Sequence, residues 1–132
     1  MTFTRLAPAL AGLALACATA SFALAAATDY AFEPVTVEVK RSSATELAVR
    51  LLHKPSAKPV EGAVLFRTRL DMSPENMAEH TGAVEALPSS APGVYRFKAD
   101  LSMPGRWALK LMAKVPGEAQ TVEGSVVFKA KD

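Results

Sequence analysis

Apolar and polar residues alternate one by one through most of the chain after the N-terminal segment. The stretch PVTVEVK (34–40) places valine at every second position, and TELAVRLL (45–52) repeats the pattern with leucine and valine. A period of two with one apolar face is typical of half-buried β-strands. The same alternation predicts five further strands, over 63–70, 82–87, 94–101, 106–115 and 122–130. No stretch after the N-terminal segment has a sustained helical period, so the sequence predicts an all-β fold.

The alternation also predicts which side chains face the core. In strand 106–115, Trp107 falls on the apolar face, whereas Met112 shares the other face with Lys110. In strand 63–70 it assigns one face to the interior and the other to solvent. The residues expected inside in that strand are Val64, Phe66, Thr68 and Leu70.

Residues that favour turns separate the predicted strands. Pro-Gly pairs at 104–105 and 116–117 suit the central positions of a type II turn. The segment 53–59 is rich in proline and lysine, and the segment 88–93 is rich in proline and serine. Seven short strands in about 105 residues are typical of an immunoglobulin-like β-sandwich. We therefore predict a single β-sandwich domain over residues 29–132.

The N-terminal segment has the layout of a secretory signal. One basic residue, Arg5, precedes a run of small and apolar residues without an acid. The triplet Ala23-Leu24-Ala25 fits the A-x-A cleavage rule, which predicts a helical signal peptide over residues 1–25 and a periplasmic protein, with cleavage after Ala27 as the nearby alternative. Two alternatives remain: an uncleaved membrane anchor, since 6–27 approaches the about 20 apolar residues that span a bilayer, and a lipoprotein processed at Cys17.

Cysteine content and charge exclude several classes of function. Cys17 is the only cysteine and lies in the predicted signal, so the mature chain has no disulfide and no thiolate ligand. Without Arg5, 14 basic residues face 13 acidic residues. A net charge of +1 gives no electrostatic case for nucleic acid or an anionic membrane. We expect no nucleic-acid partner, and membrane contact only through an uncleaved N-terminus.

The sequence also lacks the common signatures of catalysis. No nucleophile-elbow pattern surrounds the serines of its polar loops, Ser42, Ser43, Ser73, Ser89 and Ser90, and no glycine-rich phosphate loop is present. His53 and His80 are predicted at opposite ends of the sandwich, which gives little basis for a triad. We therefore expect no enzymatic activity.

Methionine and histidine recur in one polar segment, RLDMSPENMAEHTG (69–82), which holds Met72, Met77 and His80. Between the predicted strands, residues 71–81 of this segment form a predicted loop. If consecutive strands are antiparallel, this loop and the 102–105 turn lie at the same end, which adds Met103. Thioether sulfur is soft and needs no deprotonation, so it suits Cu(I) in an oxidising compartment, and imidazole binds either oxidation state of copper. These four residues are candidate ligands of a soft metal ion. The alternative is that the methionines fill apolar contacts and His80 is solvated.

Three short motifs link the chain to a known family. They are Asp71-Met72-x-Pro74-x-x-Met77, Pro92-Gly93-x-Tyr95 and Met103-x-Gly105-x-Trp107. With these motifs, residues 30–130 resemble the YtkA-like / FixH-like family of exported β-sandwich domains, whose members often lie beside heavy-metal efflux and copper-handling systems. The resemblance implies an accessory protein that binds or passes copper, with a membrane efflux or assembly complex as partner. Many relatives carry methionine where this chain has His80, so strict Cu(I) selectivity is in doubt.

Two hypotheses from different classes therefore stand at this point. In the first, the protein is a periplasmic accessory that holds or passes Cu(I) or a similar soft ion through the four candidate ligands. In the second, it is a metal-free immunoglobulin-like module that docks onto a membrane complex. The sequence leaves the oligomeric state open.

Overall fold

The computed structural model of the protein describes residues 27–89 and 91–132. The predicted signal peptide, its helical form and its cleavage site lie outside the described residues. Within the described part of the chain, no helix is long and apolar enough to cross a membrane. Strands dominate the described residues, and the prediction of an all-β fold is confirmed.

The strands form two sheets that pack as a β-sandwich. Neighbouring strands are antiparallel, apart from one parallel pair at an edge of the second sheet. Two single 3-10 turns, Ala27–Asp29 and Ser73–Glu75, complete the described elements. In spatial order, the first sheet consists of β1 (Tyr30–Pro34), β3 (Thr45–His53), β8 (Val94–Ala99) and β7 (Val84–Leu87), with β4 (Lys58–Pro59) paired to β3. The second sheet consists of β2 (Glu38–Lys40), β10 (Val122–Lys131), β9 (Gly105–Lys114), β5 (Val64–Met72) and β6 (Met77–Gly82).

The core lies between the inner faces of the two sheets. Trp107, Phe97 and Phe128 are the largest fully buried side chains, contributed by β9, β8 and β10. Each is surrounded by leucine and valine from strands whose burial alternates with a period of two, as the sequence predicts. The hydrophobic pattern thus determines which face of each long strand is buried.

Strand β5 departs from the predicted alternation. Val64 is 63% exposed, while its neighbour Leu65 packs against the core, so the assignment of Val64 and Phe66 to the interior is wrong. The cause is a β-bulge: between Phe66 and Arg69 the strand advances three residues while β9 advances two, and Arg67 takes φ = 50°. An extra residue reverses the faces on its two sides. Leu70, beyond the bulge, is buried as predicted.

The structure differs from the prediction of a loop over 71–81 followed by one strand over 82–87: two strands, β6 and β7, lie in this part of the chain. The predicted loop consists of the end of β5, the 3-10 turn Ser73–Glu75 and most of β6, an edge strand of the second sheet. The chain then passes through Ala83 into β7 of the first sheet. Gly82 permits this crossing, because a Cβ there would clash with the carbonyl oxygen of Asp100. With β1, β4 and β6 added to the predicted strands, the described residues form ten strands instead of about seven, and the predicted strand 34–40 is shortened to β2.

Alanine at position 82 is expected to destabilise the fold by about 2 kcal/mol. Besides the Asp100 carbonyl, its Cβ would stand 2.9 Å from Leu70 Cδ2 in the packed core. Urea unfolding followed by the fluorescence of Trp107, the only tryptophan, measures the change. Thr81→Ala, at the neighbouring exposed position, is the control and should stay within about 0.5 kcal/mol of the parent. Equal effects of the two substitutions would contradict the role of Gly82.

Candidate functional site

His80 lies at one end of the sandwich, against Trp107 and the turn between β8 and β9. The ring centroids of His80 and Trp107 are 5.4 Å apart, with the planes inclined by 50°. His80 Nε2 is 3.1 Å from Ser102 Oγ, and Trp107 Nε1 donates a 3.0 Å hydrogen bond to the Met103 carbonyl oxygen. Edge strand β6, the turn and β9 therefore converge on a half-buried imidazole.

Two of the predicted ligands, Met77 and Met103, have side chains that are partly open to solvent. Each is 37% exposed, among the more exposed large apolar side chains of the described residues. Met103 directly follows Ser102, which contacts the His80 ring, and Met77 begins the strand that carries His80. The structure thus places Met77, His80 and Met103 on the two segments that meet at this end.

Met72 occupies a different environment from the other two methionines. It is 1% exposed and belongs to the main core cluster. Its Cε is 3.0 Å from the point where a Cβ on Gly105 would stand, so its methyl group fills the space left by that glycine. Met72 also pairs with Met77 across β5 and β6. As a metal ligand it would have to leave this packing.

The 3-10 turn Ser73–Glu75 is fastened to the start of β9. Glu75 Oε1 accepts hydrogen bonds from the backbone N–H of Arg106 at 3.1 Å and from its Nε at 2.9 Å. Arg106 Nη2 donates to the Pro74 carbonyl oxygen at 2.9 Å. The hydrogen bond from Arg106 lowers the pKa of the Glu75 carboxyl. This network fixes the segment that leads into Met77.

Asp71 anchors the same segment from the other side. Its carboxylate is fully buried and accepts hydrogen bonds from Arg69 Nε at 2.9 Å, Lys110 Nζ at 3.0 Å and the Ser73 backbone N–H at 3.0 Å. Burial alone would raise the pKa of Asp71, but the bonds from Ser73, Lys110 and Arg69 outweigh it and hold the pKa well below its ordinary value. The hydrophobic pattern does not predict this anchor; the sequence signals are the position of Asp71 at the start of the 71–77 family motif and Arg69 two residues before it.

His53 lies far from His80, at the other end of the first sheet. Its Nδ1 is 2.6 Å from Ser56 Oγ, and its ring is 5.3 Å from that of Tyr30. At the opposite end of β3, Thr45 pairs with Ala99, just before the turn that holds Met103. Eight residue steps along a strand separate these ends by about 26 Å. The two histidines therefore cannot serve one site.

The donors at the His80 end are one imidazole and thioethers. This set suits a soft monovalent ion such as Cu(I) or Ag(I), and the Trp107 ring beside it offers an aromatic face to a cation. Among the described residues, no group of three or more His, Cys, Asp and Glu side chains is placed to hold a metal ion. Methionine is not one of these four residue types. The arrangement of Met77, His80 and Met103 is therefore a different kind of candidate metal site.

Comparison with known proteins identifies the family. The ZirS C-terminal domain is a solved structure similar to this chain, with 8% identity, a TM-score of 0.43, and coverage of 80% of this chain and 67% of that domain, a likeness too weak to support an argument. No curated protein matches the chain. The YtkA-like family, in contrast, matches residues 24–112, more than half of the sequence. The chain therefore belongs to the YtkA-like family.

Proposed function

We propose that this protein is an exported, non-enzymatic accessory that binds a soft metal ion, copper(I) first of all, and passes it to a membrane efflux or assembly complex. The observation that supports this proposal is the half-buried His80 imidazole between Trp107 and Ser102, with Met77 and Met103 exposed on the adjoining segments. Export rests on the signal-like pattern of residues 1–25.

Met77, His80 and Met103 are the proposed ligands. Two thioethers and a neutral imidazole bind Cu(I) without adding negative charge. If the metal binds at His80 Nδ1, the Nε2 contact with Ser102 orients the ring, as outer partners of ligating histidines commonly do. Exposure of Met77 and Met103 lets a partner reach the ion.

Met72 is proposed as the support beneath this site. Its side chain fills the space against Gly105, and it pairs with Met77 across the hairpin. The original hypothesis that Met72 is itself a ligand remains testable by substitution. Leucine at position 72 keeps the apolar volume and removes the sulfur, so it separates packing from coordination.

Copper(I) titration of the protein without oxygen, against a competing chelator, tests the proposal. We expect one ion per chain, and we expect Met77→Leu/Met103→Leu to weaken binding by about 100-fold or more, since even outer-shell substitutions weaken metal sites by about 10- to 100-fold. Met112→Leu is the matched control, because Met112 is half-buried on the outer face of the second sheet. It should bind like the parent.

Two other outcomes have clear meanings. Equally weak binding by the parent and both variants would contradict the metal hypothesis. Loss of binding in Met72→Leu, with unchanged circular dichroism, would make Met72 a ligand and move the site inward.

The second candidate function is a metal-free interaction module, which the strand order favours. We infer that the sandwich is immunoglobulin-like: β1-β3-β8-β7 follows the order of strands A, B, E and D, and β10-β9-β5 follows G, F and C. Val35 and Val37 beside edge strand β2 are 43% and 53% exposed, as expected of a docking edge. The copper titration distinguishes the two candidates, because a docking module would not bind the ion.

A further inference from the structure

The charges of the domain are unevenly distributed over its surface. Basic side chains gather on the outer face of the second sheet, where cross-strand partners show which residues share that face. Arg69 is directly opposite Lys110, and Arg106 is directly opposite Lys129. We name this surface the basic face; its cations are Lys40, Arg67, Arg69, Arg106, Lys110, Lys114, Lys129 and Lys131.

Acidic residues only partly offset this charge. Five carboxylates belong to the face or its edge, which leaves three positive charges in excess, whereas the remainder of the chain after the signal has two negative charges in excess. Asp71 and Glu75 are engaged by Arg69, Lys110 and Arg106. The five acidic residues are Glu38, Asp71, Glu75, Glu79 and Glu123.

Four cations of the basic face form no ion pair within the described residues: Lys40, Arg67, Lys114 and Lys129. Two of the four lie on or beside β5: Arg67 is in its bulge, and Lys114 is opposite the exposed Val64. Like charges directly opposite each other, as in the Arg106 and Lys129 pair, destabilise a sheet. This face carries both opposed like charges and cations without an ion-pair partner. It is therefore suited to binding a negatively charged group of another molecule.

The bulge also borders a depression on this face. A depression of about 410 Å³ lies between Arg67, Lys110, Glu123 and Ser125, with Met112 in its lining. Leu111 and Met112 provide apolar lining, and the charged lining residues are Arg67, Lys110 and the single carboxylate Glu123. An apolar centre within a charged rim is the usual anatomy of a protein interface.

We propose that the basic face is a docking surface for an acidic segment of a partner protein, with an apolar side chain of that segment seated over Met112. The depression favours a protein segment over a lipid surface, because an apolar side chain can enter it between the cations. None of the residues substituted in the following test is a proposed metal ligand, so the metal site and the docking surface can be refuted separately.

Fluorescence anisotropy with a labelled short peptide of glutamate and aspartate around one leucine tests the docking surface. We expect saturable binding that weakens between about 0.05 and about 0.3 M salt, as screening of exposed charges requires. Arg67→Glu/Lys114→Glu should weaken binding by about tenfold or more. Lys54→Glu/Lys58→Glu is the matched control, since it makes the same charge change on exposed residues of β4 and the turn before it.

Two further comparisons make the test specific. Met112→Ser should weaken binding of the leucine-containing peptide. It should leave binding of a peptide with serine in place of leucine unchanged. If the two charge-reversal variants weaken peptide binding equally, the peptide is attracted only by the net charge of the protein, and the proposal is overturned. Stronger binding to phosphatidylglycerol vesicles or to a DNA duplex than to the peptide, lost in Arg67→Glu/Lys114→Glu, would also overturn it.

Discussion

Replacing Asp71 with asparagine should lower the free energy of unfolding by about 2 to 3 kcal/mol at neutral pH. The carboxylate is fully buried, and it links three groups: the Arg69 guanidinium, the Lys110 ammonium and the Ser73 backbone N–H. Asparagine keeps the size but loses the charge that holds both cations. Arg69 and Lys110 are about half exposed and regain water, so the expected loss is smaller than for a fully buried pair.

The pH dependence gives this prediction a distinct signature. Because folding lowers the pKa of Asp71, its stabilisation is fully present at neutral pH and declines as the pH falls below about 3.9, the ordinary value for aspartate. The difference between parent and Asp71→Asn should therefore narrow in acid. Urea unfolding at several pH values measures it through Trp107 fluorescence.

A carboxylate on the surface provides the control for Asp71. Asp132 pairs with Arg41 at 2.8 Å, but its side chain is 72% exposed. Asp132→Asn should change the stability by less than about 0.5 kcal/mol at any of these pH values. A difference between parent and Asp71→Asn that stays constant from neutral pH into acid would show that the charge of Asp71 contributes nothing.

The long strands were predictable because a period of two records which face is buried. Strands β3, β9 and β10 keep one register over nine or ten residues, and each turns its apolar face to the core. Strand β5 was misassigned because a bulge adds one residue without any glycine or proline to mark it; Arg67 itself takes the left-handed conformation. Local pattern cannot locate such a bulge, since its cause is the register with β9.

The position of three candidate ligands at one end of the sandwich was also predictable from the strand pattern. Antiparallel order was enough to place Met77, His80 and Met103 at one end, even though the loop proved to be edge strand β6. The environment of Met72 could not be predicted, because it depends on the space above Gly105, on the neighbouring strand β9 and distant in sequence. The hydrogen bonds of Ser102 and the Met103 carbonyl also arise from tertiary contacts that leave no sequence period.

Trp107→Ala should have the largest effect of any single substitution considered, about 4 kcal/mol of destabilisation. Trp107 is fully buried, and it is the largest side chain of the core. Its ring contacts that of His80, its Nε1 bonds to the Met103 carbonyl oxygen, and its Cζ3 is 3.4 Å from the Cβ position of Gly82. Alanine leaves a cavity that three strands cannot close. Far-ultraviolet circular dichroism during urea unfolding measures the loss.

Trp107→Phe separates the packing role of the ring from its role at the turn. Phenylalanine keeps much of the apolar volume but cannot donate to the Met103 carbonyl, so we expect a loss of about 1 to 2 kcal/mol. If Trp107 also positions Met103 and shields the metal, this stable variant should bind copper(I) more weakly than the parent in the chelator competition. Unchanged copper affinity in Trp107→Phe would restrict Trp107 to the core, while the metal site would depend on Met77, His80 and Met103 alone.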